Sequence, residues 1–241
     1  MIGRPLDGAK ILLVEDIELN VMVAKALLEK LGQHVEVAMT GQEAIDMVRT
    51  TPYDLILLDI QLPDMTGFDV ARTLLEEDLV LRTPIVALTA NVINTRTEYL
   101  QNGMDDVIAK PVKKSRIIQV FNELFASDLP TKMNAQEGTS DTVVIEQESK
   151  KVLDIGLLTM LVETIGEGMV ETSLAVFEEK IPEYMEILNV SLAAADKDEV
   201  CSQAHKIKGA AGSLGLDRIQ KSANMIQQGD HPAWWENVHE W

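Results

Sequence analysis

The sequence predicts a doubly wound α/β domain followed by an all-helical bundle, on three observations. Residues 10–125 alternate short apolar runs with helix-periodic stretches, which implies a parallel sheet with crossover helices. From Ala126 to about Val152 that periodicity dissolves. After Val152 only helical patterns appear.

"KILLVE" (10–15) is a continuous apolar run suited to a strand buried on both faces. Leu19, Val23, Ala26, Leu27 and Leu31 then recur at helical spacing up to Gly32. "HVEVA" (34–38) alternates as a more exposed strand would, and Thr40 with Glu43 three positions on can cap the next helix. "DLILLD" (54–59), "PIVAL" (84–88) and "DVIA" (106–109) complete five strands. Further helices are predicted around 67–76, 92–102 and 114–125. Residues 127–152 are polar, with Pro and Gly, and read as a flexible linker of ~25–30 Å root-mean-square span; a short strand at Val143-Val144-Ile145 is the competing reading.

In the bundle, Asp154 can cap a first helix ending near Gly166. A second carries Val170, Leu174, Phe177, Ile181, Leu188 and Leu192 on one stripe, with Pro182 expected to kink it or start a new segment. A third runs from Lys197 to Ser213 and a fourth from Leu216 to Gln228. Pro232 opens a fifth pattern, with Trp234, Trp235, Val238 and Trp241, that stops before a full helix; a C-terminally incomplete bundle is the expectation. The predicted division is 6–126, linker 127–152 and bundle 153–241.

At 241 residues the chain can bury two cores, and a mean hydropathy of +0.03 suits a water-facing globular protein. The net charge of -18 argues against a nucleic-acid surface and against docking on anionic lipid. A single cysteine, Cys201, excludes an intrachain disulfide framework and suits a reducing compartment. No apolar stretch reaches membrane-spanning length, so the expectation is a cytoplasmic protein without membrane contact of its own.

The chemistry gathers at strand ends. Glu15 and Asp16 follow the first strand, Asp59 closes the third, Thr89 follows the fourth, and Lys110-Pro111 follows the fifth. In an open parallel sheet these ends converge on one crevice. Three acids suit Mg²⁺, which takes oxygen ligands; Asp59 can be both ligand and nucleophile. Mg²⁺ and Lys110 would offset the repulsion among the carboxylates, leaving Asp59 ionised. Thr89 offers a hydroxyl to a phosphoryl oxygen, and Ala90 leaves room for the group. Any one of these residues alone is commonplace as a cap or a turn; the five together are not.

With "VED" (14–16), "DLILLDIQLPDMTG" (54–67), "PIVALTAN" (84–91) and "GMDDVIAKP" (103–111), residues 10–125 resemble a response-regulator receiver domain. The resemblance implies a flavodoxin-like sheet, with Glu15 and Asp16 as metal ligands and Asp59 as phosphoacceptor. It also implies Thr89 as switch hydroxyl, Lys110 as phosphate partner, a backbone carbonyl ligand from Gln61, and a cis Lys110-Pro111 bond. One position departs: many receivers carry Tyr or Phe three residues before the lysine, and here it is Val107. That suits a relay station better than an aromatic-switched output domain.

The third bundle helix has Val200, Ala204, Ile207, Ala211 and Leu214 on one stripe, which turns His205 roughly 140° away from it by helical geometry. An exposed His205 is therefore expected. Lys208 lies a turn on, and Gly209 and Gly212 leave a bare patch for a partner to approach. "AHKIKGAAGSLG" is similar to the signature of histidine-containing phosphotransfer domains. That implies His205 as the phosphorylated residue, supported by Lys208 and Gly209. Cys201, four residues before His205, could share a metal by spacing, but two ligands make no structural zinc site.

A receiver followed by such a bundle resembles the C-terminal half of a tripartite hybrid sensor histidine kinase, of the anoxic redox control type. The resemblance implies an upstream transmitter domain as donor, a downstream DNA-binding response regulator as acceptor, and a parent protein anchored in the inner membrane. No nucleotide-binding motif is present for a kinase step within the chain. The expected function is a relay from a phosphohistidine to Asp59, to His205, and on to another receiver. Two alternatives are a Mg²⁺-dependent phosphohydrolase with Asp59 as nucleophile, weakened by Gln61 where such enzymes commonly place a second aspartate, and an inactive receiver serving as a binding module.

Overall fold

A computed structural model describes residues 8–80, 83–89, 96–125 and 152–228, together with Trp234 and Val238. The predicted linker (except Val152), its competing strand at 143–145 and most of the fifth bundle helix lie outside these residues.

Five strands form one sheet: β1 (Lys10–Val14), β2 (His34–Ala38), β3 (Leu55–Asp59), β4 (Ile85–Thr89) and β5 (Asp106–Ala109). All pairings are parallel and the order is β2-β1-β3-β4-β5, so the doubly wound prediction holds. Helices α1 (Glu18–Lys30), α2 (Gly41–Thr50), α3 (Gly67–Glu76), α4 (Arg96–Gln101) and α5 (Lys114–Phe125) cover the sheet. Side chains alternate across a strand. Ile11, Leu13, Leu55 and Leu57 therefore face α1 and α5, while Leu12, Val14, Ile56 and Leu58 face α2 and α3. Continuous apolar strands are the consequence of burial on both faces.

Caps set several boundaries. Thr40 accepts the Glu43 N–H at 3.1 Å while the Glu43 carboxylate accepts from Met39 N at 2.7 Å, one residue earlier than a capping box requires. Thr66 and Asp69 do form a reciprocal capping box at the start of α3.

The remaining helices are α6 (Ile155–Ile165), α7 (Glu167–Ala193), α8 (Lys197–Ser213) and α9 (Asp217–Gln227). Asp154 caps α6, accepting Leu157 N–H at 3.0 Å. Of the two expectations for Pro182, a new segment does not occur: α7 runs 27 residues through it. Pro182 and Glu178, whose carbonyl loses its partner, both lie on the solvent side, where water can replace the missing bond.

The two regions pack together through α1. Val23 and Leu27 share an apolar cluster with Leu157, Leu161, Ile165 and Val170, and Ile17 and Leu19 share another with Phe177, Ala210, Ala211 and Leu214. Helix α8 is thus enclosed by α7 and α9 on one side and by α1 on the other.

Candidate functional site

The sheet order reverses between β1 and β3, and the crevice there is where an open α/β sheet binds ligands. Glu15, directly after β1, and Asp59, the last residue of β3, are each 1 % exposed. Lys110, after β5, reaches both: its Nζ lies 2.5 Å from Glu15 Oε2 and 2.5 Å from Asp59 Oδ2. Its backbone N–H donates to Thr89 O at 2.7 Å, which ties the ends of β4 and β5 together, and the Lys110-Pro111 bond is cis. Thr89 is buried at the end of β4. Gln61 donates its N–H to Asp59 Oδ1 at 3.1 Å. Gly67 sits so close to Asp59 that an added Cβ would fall 2.3 Å from the Asp59 carbonyl oxygen; a side chain there would displace the end of β3.

Burial disfavours the ionised form of Glu15 most, the Asp59 charge adds to this, and Lys110 opposes both; the balance pushes Glu15 up to about 7. Asp16 is raised for the same two reasons, burial and then Asp59. Burial alone would lower Lys110, but Asp59 and Glu15 hold it well above its ordinary value. The donor set fits a hard divalent cation. Glu15, Asp16 and Asp59 each offer one oxygen, all within 4.8 Å of one another, and Asp16 Oδ1 is buried without a hydrogen-bond partner. Oxygen-only donors in this number suit Mg²⁺. Among the described residues no group of three donors includes Cys201 or His205.

His205 corrects the sequence reading. It is 7 % exposed rather than open to solvent. The apolar stripe is where expected, with Val200, Ala204, Ile207, Ala211 and Leu214 all buried. The imidazole is on another face, and that face is covered by the sheet domain. The positions of Gly209 and Gly212 also separate: a Cβ on Gly209 would meet Ile17 and Asn20 of α1, at 2.7 and 3.1 Å, whereas one on Gly212 would meet Gln220 of α9. Gly209 is thus the point of close approach to α1, while Gly212 lines a cleft with Pro111 and Lys113 of the sheet domain.

Gln227, at the end of α9, organises the histidine. Its Nε2 lies 3.0 Å from His205 Nδ1 and donates to Gln61 Oε1 at 3.3 Å, while its Oε1 accepts from Lys208 Nζ at 3.1 Å. With Nδ1 engaged, Nε2 is the ring nitrogen left over, and it is buried with no partner. Burial pulls His205 down to about 4 against the upward pull of Asp59, with Lys110, Lys208 and Lys206 reinforcing the fall. Burial also lowers Lys208. The ring is therefore neutral and lies within the field of the Asp59–Lys110 cluster.

The structure thus brings Glu15, Asp16, Asp59, Gln61, Thr89 and Lys110 to one crevice and sets His205 and Lys208 over it. Two residues escaped the sequence reading. Gln227 is one of several glutamines in α9 and its surroundings, with nothing local to single it out. Asn20 is buried in the first turn of α1, donating to Glu15 Oε1 at 2.9 Å and accepting from Ser213 Oγ at 2.6 Å. A buried polar residue five positions after an acid leaves no periodic signal. Val107 lines a cleft of about 450 Å³ with Thr89, Arg96, Tyr99 and Arg116, so the space beside the β4 end is open. Buried Asp106 accepts from Arg96 Nε at 3.0 Å and Arg116 Nη2 at 2.8 Å on the same side.

Comparison with known proteins places these two regions. Residues 11–122 match the model of the response regulator receiver domain, and residues 172–241 match that of the Hpt domain; α6 precedes the second match. The chain is 46 % identical to the aerobic respiration control sensor protein ArcB of Escherichia coli K12, over 98 % of this chain and 30 % of that protein. It is 26 % identical to the signal transduction histidine-protein kinase BarA of the same organism, over 90 % of this chain and 23 % of that protein. The chain therefore spans under a third of the length of these relatives. Among solved structures, the receiver domain of sensor histidine kinase PA1611 from Pseudomonas aeruginosa PAO1, which has a magnesium ion in its active-site cleft, is 36 % identical. That match covers 50 % of this chain and 99 % of the other, with a TM-score of 0.47.

Proposed function

We propose, from the premise that this chain joins a receiver domain (6–126) through a linker (127–152) to an Hpt domain (153–241), that it relays a phosphoryl group from Asp59 to His205. The observation that carries the reading is the pairing of His205 with the acidic crevice: a buried, neutral, partnerless Nε2, linked through Gln227 to Gln61, two residues from Asp59.

Asp59 first takes the group from a phosphohistidine of a transmitter domain outside this chain. The His205 Nε2 lone pair then forms the bond to phosphorus while the P–O bond to Asp59 breaks, and its electron pair returns to the carboxylate. Attack through Nε2 requires the ring proton on Nδ1, whereas the Gln227 NH₂ beside Nδ1 donates to it, so the ring must exchange tautomer before it attacks. Lys110 and Lys208 flank the donor and acceptor sides and offset the phosphoryl charge. Thr89 supplies its hydroxyl to a phosphoryl oxygen. Glu15, Asp16, Asp59 and the Gln61 carbonyl would hold Mg²⁺, which when bound neutralises charge on the transferring oxygens. His205 finally yields the group to an aspartate of a separate DNA-binding response regulator.

Relatedness to ArcB supports respiratory control as the setting and a membrane-anchored parent whose portion here faces the cytoplasm. No described helix is long and apolar enough to cross a membrane.

The test is labelling with acetyl phosphate and Mg²⁺. The chain should take up one acid-labile phosphohistidine. His205→Gln should hold the label as a base-labile acyl phosphate, and Asp59→Asn should take none. Sustained turnover of a small phosphoester would instead establish the phosphohydrolase. Absence of any label would leave a binding module.

A further inference from the structure

We propose that Asn20 of α1 and Ser213 of α8 form a recognition pair that seats the bundle on its own receiver and favours that receiver over others. The inference rests on the relay reading and adds what selects the partner. Ser213, the last residue of α8, is buried, and its hydroxyl donates to Asn20 Oδ1 at 2.6 Å. Asn20 is 4 % exposed, and its Nδ2 donates to Glu15 Oε1 at 2.9 Å. The carboxylate therefore fixes which way the amide faces: its NH₂ goes to Glu15 and its oxygen is left for the bundle.

The pair also sets register. His205, Gly209 and Ser213 recur at four-residue spacing and lie along one side of α8. Gly209 is the close-approach point between them, against Ile17 and the Asn20 amide. Ser213 stands about 12 Å along the helix from His205 at 1.5 Å per residue. The bundle is thus held at two separated polar points, Gln227 on Gln61 and Ser213 on Asn20. Two points fix rotation and sliding where one would not, and both must be met for His205 to sit over the crevice.

Specificity follows from the cost of an unmade bond. A receiver with leucine or alanine at the Asn20 position leaves the Ser213 hydroxyl buried without a partner. One with aspartate there sets a further carboxylate against Glu15 and gives up the donor that Glu15 accepts. An amide meets both neighbours.

The experiment uses the full 241-residue chain, labelled through Asp59 with acetyl phosphate and Mg²⁺ and then desalted. It is mixed with a purified foreign receiver domain carrying leucine at the position matching Asn20. Transfer from His205 to that receiver requires release from the chain's own receiver, and rates are normalised to His205-phosphate at zero time. Ser213→Ala and Asn20→Ala should each speed the transfer about tenfold, the effect of one lost buried hydrogen bond. The double variant should be no faster than either single. Unchanged rates, or two accelerations that multiply, would overturn the pair. Failure of the unaltered chain to pass any label would instead sink the relay reading, which separates the two outcomes.

Discussion

The receiver crevice and the His205 face are two halves of one site built by different means. The crevice is complete within its own domain: strand ends deliver Glu15, Asp59 and Lys110, and the sheet order places them together. The histidine face is not complete within the bundle. Its imidazole becomes buried, neutral and oriented through Gln227 and the cover supplied by α1. A site made by strand topology keeps its residues together without docking, whereas one made by an interface loses its arrangement when the interface opens.

The largest effects should come from removing either nucleophile of the proposed relay. Asp59→Asn and His205→Gln should each lower transfer to an external receiver by about 10³-fold or more, since each is the only bond-forming atom at its step. Asp59→Asn should abolish acetyl phosphate labelling, while His205→Gln should leave it intact; equal loss in both would break the division into a self-sufficient crevice and a dependent histidine. Next, Leu161→Ala in the α6 seam should cost about 2–5 kcal/mol by denaturant unfolding, as for other buried leucines. Leu161 is 2 % exposed and clusters with α1 and α5 residues, so part of that loss should appear as undocking.

Gln227→Ala should slow Asp59-to-His205 transfer about tenfold, the cost of one buried polar partner, with labelling of Asp59 unchanged. The smallest effect is a predicted constancy. Burial holds His205 at about 4, and only the neutral ring can attack, so the ring itself should add no fall in transfer from pH 8 to pH 5.5; Glu15, pushed up to about 7, is the crevice group that titrates in that window. An undocked histidine would titrate near its ordinary 6.5, and transfer would fall on acidification through that value. Following the His205 ring signal by NMR in Leu161→Ala should show the titration moving up from about 4. A His205 that titrates near 6.5 in the intact chain would remove the distinction between the two halves.

Much of the sheet domain was legible because its signals are local. An apolar run such as Leu55–Leu58, closed by Asp59, names both a strand and the acid at its end, and α3, α5 and α8 lie where periodicity puts them. Pro182 starts no new segment, because it and the Glu178 carbonyl face solvent, where water can replace the missing bond. His205 was misread. Periodicity reports which face a helix turns from its own bundle, and it cannot report that another domain lies against that face. Gln227, Asn20 and Ser213 had no local signature, because the bonds that join the two regions, Gln227 to Gln61 and Ser213 to Asn20, form only across a tertiary contact.

The amino-acid order by itself determined the five-stranded sheet, the acids and lysine at its strand ends, and a helix bearing His205 apart from its apolar stripe. All of these follow from spacing along one element. Only the tertiary structure decided that the two domains meet through α1, that His205 is dry and neutral there, and that Gln61–Gln227 and Asn20–Ser213 tie the halves together. The physical reason is that burial, and the charge state it imposes, belong to the surfaces in contact, and those surfaces come from residues more than 160 positions apart.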